Sequence, residues 1–148
     1  MLTMNSSVLF KLLGDLTAGL LEPGTSPNFA KVGLFTNNYT PLPTTVIGDL
    51  TEAAYTGYAQ LDVPAWGDPS TVSATEVNVL GTTILQFQGP SSGPGAIIYG
   101  YFWLDSTGSY IGAERFSSPI PLNVLTDVIT LLPSFNYSAP SDVSFVLP

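Results

Sequence analysis

The run Ala96-Ile97-Ile98-Tyr99-Gly100-Tyr101-Phe102-Trp103-Leu104 restricts the fold more than any other part of the chain. Successive side chains of an extended strand point to opposite faces. That alternation predicts Ile97, Tyr99, Tyr101 and Trp103 on one side, with Ile98, Phe102 and Leu104 on the other. Both sides are apolar, so neither can be left in water. A strand of this kind belongs in the middle of a sheet covered on both faces, and the rest of the chain must supply its neighbours and its cover.

The neighbours are readable from the same period of two. Residues 29–36 place Val32 and Leu34 on one face and Lys31 on the other, and 58–63 reads as a short strand closed by Pro64. Residues 76–88 form either a hairpin about Gly81-Thr82 or a loop entering one strand at 83–88. After the central strand, 105–108 turns the chain into a strand over 110–116, and 122–132 is a further long strand stopped by Pro133. The tail, 135–148, carries Val143, Phe145 and Leu147 in alternation and suits an edge strand or a reach to a neighbour. The segments 37–45, 66–69 and 89–95 are loops rich in Gly, Pro and Asn, and 49–57 is a turn or one helical turn. About seven strands at intervals of roughly ten residues indicate a mainly β chain, an antiparallel β-sandwich or a barrel-like relative of one.

One α-helix is expected ahead of this, over 5–21. Leu9, Leu13, Leu16 and Leu20 recur at helical spacing, Asn5, Ser6 or Ser7 can cap the start, and Pro23-Gly24 ends it. The organisation is therefore an N-terminal helix and linker over 1–28 and a β-sandwich domain over 29–148, one compact domain in all. The leucine stripe either covers the open face of the chain's own sheet or docks on a neighbouring subunit.

Composition then narrows the function. Charged residues make up 9% of the 148 residues, against roughly 25% in a typical soluble domain, so the surface is easily dehydrated by a partner. The net charge is −8 and the cations are Lys11, Lys31 and Arg115 alone. Three dispersed cations cannot neutralise a run of phosphates or hold an anionic bilayer, which argues against nucleic-acid and membrane partners. No run approaches the roughly 20 apolar residues of a spanning helix, and the N-terminal run, broken by Lys11 and Asp15, lacks a signal-peptide layout.

Chemistry is sparse as well. With no His and no Cys, the commonest general base, the usual nucleophile triads and the soft metal ligands are missing. The acids Asp49, Glu52, Asp68, Asp105 and Asp142 fall singly in expected turns, where such side chains bond their own backbone. Asp105-Ser106-Thr107-Gly108 has one residue too many for an aspartic-protease signature and reads as hairpin chemistry, and no Asp-rich calcium loop is present. Asn5, Asn38 and Asn136 open glycosylation-type triplets that a chain rich in Asn, Ser and Thr produces by chance. Tyr99, Tyr101 and Trp103, with Trp66, Tyr55 and Tyr58, could stack on sugar rings, although core packing explains them more simply. Arg115, following Glu114 in an apolar strand, suggests a planar fork set against a buried carboxylate, at a subunit boundary or inside the domain. No residue is expected to be catalytic, to bind a cofactor or to hold a metal. The residues expected at an interface are Leu9, Leu13, Leu16, Leu20, Arg115 and Phe145.

Several stretches resemble small virion proteins of tailed bacteriophages. They are Lys31-Val32-Gly33-Leu34-Phe35-Thr36-Asn37-Asn38, Thr40-Pro41, Asp49-Leu50-Thr51-Glu52-Ala53 and Tyr55-Thr56-Gly57-Tyr58-Ala59. Tyr99-Gly100-Tyr101, Asp105-Ser106-Thr107-Gly108, Ala113-Glu114-Arg115-Phe116 and the stretch 119–132 continue the likeness, which covers about 31–132. It implies a structural role in a phage particle assembled from parts made in the host cytoplasm, and it brings no catalytic residue with it. A capsid decoration or cement protein, trimeric around symmetry axes of the head and bound to the major capsid protein, is the leading expectation. A tail adaptor, fibre or baseplate piece is the second, and a carbohydrate-binding module reading host glycans is the third.

Overall fold

A computed structural model describes residues 30–63 and 83–133, together with the backbone of strands at 3–4, 70–73, 76–80 and 134–138. The strands are β1 (Thr3–Met4), β2 (Lys31–Phe35), β3 (Leu61–Asp62), β4 (Ser70–Ser73) and β5 (Glu76–Leu80). They continue with β6 (Leu85–Gln88), β7 (Ala96–Leu104), β8 (Tyr110–Leu122), β9 (Val128–Leu131) and β10 (Ser134–Ser138). About 45% of the chain is strand, every pairing is antiparallel, and helix among the described residues is confined to the single 3-10 turn Ile47–Asp49. The expected helix over 5–21, with Leu9, Leu13, Leu16 and Leu20, lies outside the described residues, as does Phe145.

The strand apolar on both sides is central, as its pattern requires. β7 lies inside a five-stranded sheet of order β1-β8-β7-β2-β3, and apolar clusters cover both faces. On one face Val32, Leu34, Trp103 and Ile111 pack with Leu85, Phe87 and Ile129 from the two-stranded β6–β9 ribbon and with Ala53 and Tyr55. On the other, Phe35, Phe102, Leu104 and Ala113 pack with Leu50, Tyr39, Tyr99 and Tyr110. A third group, of order β10-β5-β4, completes the strands.

What lets β2 and β7 carry a packed face on each side is a reciprocal exchange of ring for glycine. Gly33 pairs with Phe102 and Phe35 with Gly100 across the ladder. A Cβ built on Gly33 would overlap the Phe102 ring, and one on Gly100 would overlap the Phe35 ring and the Glu114 carbonyl. Each ring thus occupies the space that a side chain opposite it would need, and both phenylalanines are fully buried. A seam of this kind has no slack, because buried side chains pack at crystal-like density.

The alternation along β7 does not run through unbroken. Ile98 packs with the Trp103 cluster and Tyr99 with the Phe102 cluster, the reverse of strict parity, and Ile97 is exposed. The register against β8 shifts here, from Ile98↔Ile120 to Gly100↔Arg115. The four residues 116–119 on β8 therefore face Tyr99 alone. Pro119 has no N–H to give the ladder, and a bulge at that point re-aims the side chains that follow.

Two other expectations change for packing reasons. β5 and β6 exist over 76–88 but do not pair with each other. A hairpin about residues 81–82 would set Leu85 against Asn78 and Phe87 against Glu76, whereas β9 offers Leu131 and Ile129 as their partners. The long strand expected over 122–132 is broken at 123–127, where the Asp127 carboxylate accepts from the Asn123 and Val124 amides and turns the chain. β8 meanwhile runs past Phe116 to Leu122, and β1 joins the outer side of β8 at Gly112 and Ala113.

Gly33→Ala or Gly100→Ala should each destabilise the protein by about 3 kcal/mol, through overpacking of a full core. Gly48→Ala, with open space around its site, should stay within about 0.5 kcal/mol of wild type. Urea unfolding followed by tyrosine and tryptophan fluorescence measures all three.

Candidate functional site

Asp49, Asp105 and Asp127 are spent on the chain's own turns. Asp105 accepts from the amides of Thr107 and Ser109 and from the Thr107 hydroxyl, while Gly108 takes a left-handed φ of 83° to close the hairpin. The Thr107 hydroxyl and the Ser109 amide hold its carboxyl below the usual range. Asp49 accepts from the Val46 amide, and Glu52 accepts from the Tyr58 hydroxyl and the Gln60 amide. Among the described residues no group of acids could hold a metal ion.

The most elaborately built feature is the loop from Thr36 to Thr51, which leaves the sheet at the end of β2 and returns beside it. The Asn37 side chain imitates a strand partner: its amide donates to the Asp49 carbonyl and its oxygen accepts from the Thr51 amide, both at 2.8 Å. Thr36 donates to Thr51, and Ala53 donates to Leu34, so the returning chain closes the edge of β2. Further along that edge the Leu34 amide donates to the Tyr58 hydroxyl at 2.9 Å, and the hydroxyl donates on to Glu52 at 2.8 Å. Inside the loop Thr45 is buried; its hydroxyl accepts from the Leu42 amide at 2.7 Å and bonds the Tyr39 hydroxyl at 3.1 Å.

Arg115 pins this loop from β8. Its guanidinium donates to the Tyr39 carbonyl at 2.9 Å and to Asn38 Oδ1 at 2.6 Å, and lies 5.2 Å from the Tyr99 ring centre. The planar fork is used as expected of an arginine, but its partners are a carbonyl and a carboxamide rather than a buried carboxylate. Glu114 turns the other way and accepts from the Tyr101 hydroxyl at 2.6 Å. The loop is thus fixed at both ends and in the middle, yet its tip holds Leu42, Val46 and Ile47 at 43–55% exposure. The anchored loop therefore holds three large apolar side chains at the surface.

A second group of exposed apolar side chains lies on the β6–β9 ribbon and its turn. Ile84, Val124, Leu125, Val128 and Leu132 are 44–57% exposed, while the alternate positions Leu85, Phe87 and Ile129 are buried. Beside the ribbon is a shallow open groove of about 280 Å³, lined by Tyr55, Tyr58, Phe87, Gln86 and Gln88 among others. Its rings serve the interior. Phe87 and Tyr55 are buried, Tyr58 lies parallel to Phe87, and the Tyr55 hydroxyl donates to the Gln88 carbonyl. The expected aromatic face of Tyr99, Tyr101 and Trp103 is likewise divided between the two sides of the sheet, and Trp103 is core. Trp66 lies outside the described residues.

Of the acids expected as turn caps, Asp49 and Asp105 are so placed, Glu52 bonds the Tyr58 and Gln60 side chains instead, and Asp68 and Asp142 lie outside the described residues; the geometry brings Arg115 together with Asn38 and Tyr39. Asn37 and Thr45 were not among the expected residues, and Tyr58 was expected only for its ring; Asn37 and Tyr58 bond backbone far from them in sequence, while Thr45 bonds the Leu42 amide three residues away. The one available signal was an uncharged, apolar Pro-Leu-Pro loop between two strands. No helix among the described residues is long and apolar enough to cross a membrane. No family model matches the chain, and neither a curated protein nor a solved structure does.

Burial raises the phenol of Tyr101, with its bond to Glu114 adding to the shift, and raises Tyr58 beside Glu52; burial also pushes Tyr110 up to about 12. Each folded-state value exceeds that of the unfolded chain, about 10. Their contribution to stability is therefore complete below pH 10 and is lost as pH climbs toward the folded values. Absorbance at 295 nm should show these phenols ionising together with unfolding above pH 10, and unfolding midpoints should fall over the same range.

Proposed function

We propose that the chain is a structural subunit of a virus particle, a capsid decoration or cement protein with a β-sandwich body. In this reading it forms a trimer around a symmetry axis of a phage head and seals the joints of the major capsid protein. One observation carries the proposal: a loop held by Asn37, Thr45 and Arg115 displays Leu42, Val46 and Ile47 to solvent. A preorganised apolar tip binds without first losing loop entropy, which suits a protein that must occupy many equivalent sites. The placement in a phage particle rests on the sequence resemblance over 31–132.

Electron cryomicroscopy of purified particles of the encoding virus tests this. The expected result is many copies seated on the head, contacting the shell through the 42–47 tip. Leu42→Ser with Ile47→Ser should leave the unfolding midpoint unchanged and reduce particle occupancy by roughly tenfold or more, the loss expected of central anchors. Density on the tail would replace decoration by a tail role, and absence from the particle would end the virion reading.

A further inference from the structure

We infer that the outer face of the β6–β9 ribbon is the contact between copies of this chain. The inference rests on the assembly reading above and names the surface and the partner for one of its two contacts.

Charge restricts where two copies can meet. Two copies at −8 each repel, so a homotypic contact has to form where carboxylates are absent. The sequence segregates charge strongly: between residues 77 and 140 the charged side chains are Asp105, Glu114, Arg115 and Asp127. The first three are accounted for away from the ribbon face, and Asp127, in the turn at one end of the ribbon, is engaged by the Asn123 and Val124 amides. Asp105 closes the β7–β8 hairpin, Glu114 meets Tyr101, and Arg115 holds the 36–51 loop. The β6 and β9 residues themselves include no ionisable group. The 36–51 loop, by contrast, has Asp49 at its base and Glu52 beside it.

The ribbon face also has the right texture. Gln86, Gln88 and Thr130 are exposed between Ile84, Val128 and Leu132, and Gln88 sits directly across from Val128. Apolar side chains supply the area lost from water, and the interleaved amides and hydroxyl can bond across a two-fold or three-fold contact without any charge being buried. The turn adds Val124 and Leu125 at one end. Among the described residues the β6 and β9 positions of this face carry no charge, and such a face on a strongly acidic protein fits another copy of itself better than it fits a basic partner, which would gain nothing there.

Sedimentation velocity on the full chain over a range of concentrations and salt tests the inference. Wild type should self-associate, and more strongly as salt rises, because screening removes the repulsion between the acidic bodies. Gln86→Glu with Gln88→Glu keeps the shape of the face and adds carboxylates to it, so association should weaken tenfold or more at low salt. Leu42→Ser, on the other surface, should associate as wild type does. Circular dichroism melts of the exposed-site variants establish that they fold. A chain that stays monomeric throughout, or a double Glu variant that associates like wild type, overturns the inference. Monomers that still decorate particles would overturn it while leaving the decoration reading intact, and would give the ribbon to the shell instead.

Discussion

Phe35 and Phe102 each lie across the strand from a glycine, and the rest of the structure is arranged around that exchange. It lets β2 and β7 sit side by side with full rings on one face and Val32, Leu34 and Trp103 on the other. It also fixes what can follow. Phe35 is the last residue of β2, so the chain leaves the sheet from a point that cannot shift without moving a buried ring. The loop from Thr36 to Thr51 starts there, and Leu50, near its far end, packs into the same cluster. Core and loop are therefore joined through one packed cluster.

A chain with so few charges must satisfy its backbone by other means. Asn37 stands in for a strand, the Tyr58 hydroxyl for a carbonyl, and Thr45 for the missing inner bonds of an irregular loop. Neutral side chains of this kind cost less to bury than ions, and a buried amide left without a partner would cost about 1–3 kcal/mol. The few charged groups are placed with the same economy, capping turns at Asp105 and Asp127 and clamping a loop at Arg115. The isolated surface pair of Lys31 and Asp62, at 3.8 Å and well exposed, adds little. The apolar side chains left on the outside are then the features that the fold does not use for itself.

The central strand was legible because its signal is local: nine residues apolar at nearly every position have one sensible environment. Val32 and Leu34 were legible for the same reason, and so were Asp49 and Asp105, whose partners lie within a few residues. What failed was long-range. Nothing near Tyr99 announces that the register against β8 will shift there and that Ile98 and Tyr99 will pack on exchanged faces. The pairing of β6 with β9 rather than β5 depends on Leu131 and Ile129, more than forty residues away. Arg115 stood out as an ion in an apolar strand, but its partners, Asn38 and Tyr39, come from the opposite end of the fold. The anchored, exposed positions of Leu42, Val46 and Ile47 were barely signalled, since a loop of prolines and threonines looks ordinary until its anchors are seen.

The central claim is that the β2–β7 seam and the 36–51 loop form one rigid body that presents apolar side chains. Amide hydrogen exchange of the protein at neutral pH tests it most directly, because exchange reports the opening of each bonded group. The account predicts slow exchange at Leu34 and Phe102, and protection of Thr36, Leu42, Thr45 and Thr51 approaching that of the strands. Protected strands beside a loop that exchanges at the rate of an unfolded chain would contradict it, since a loose tip would not be a preorganised surface.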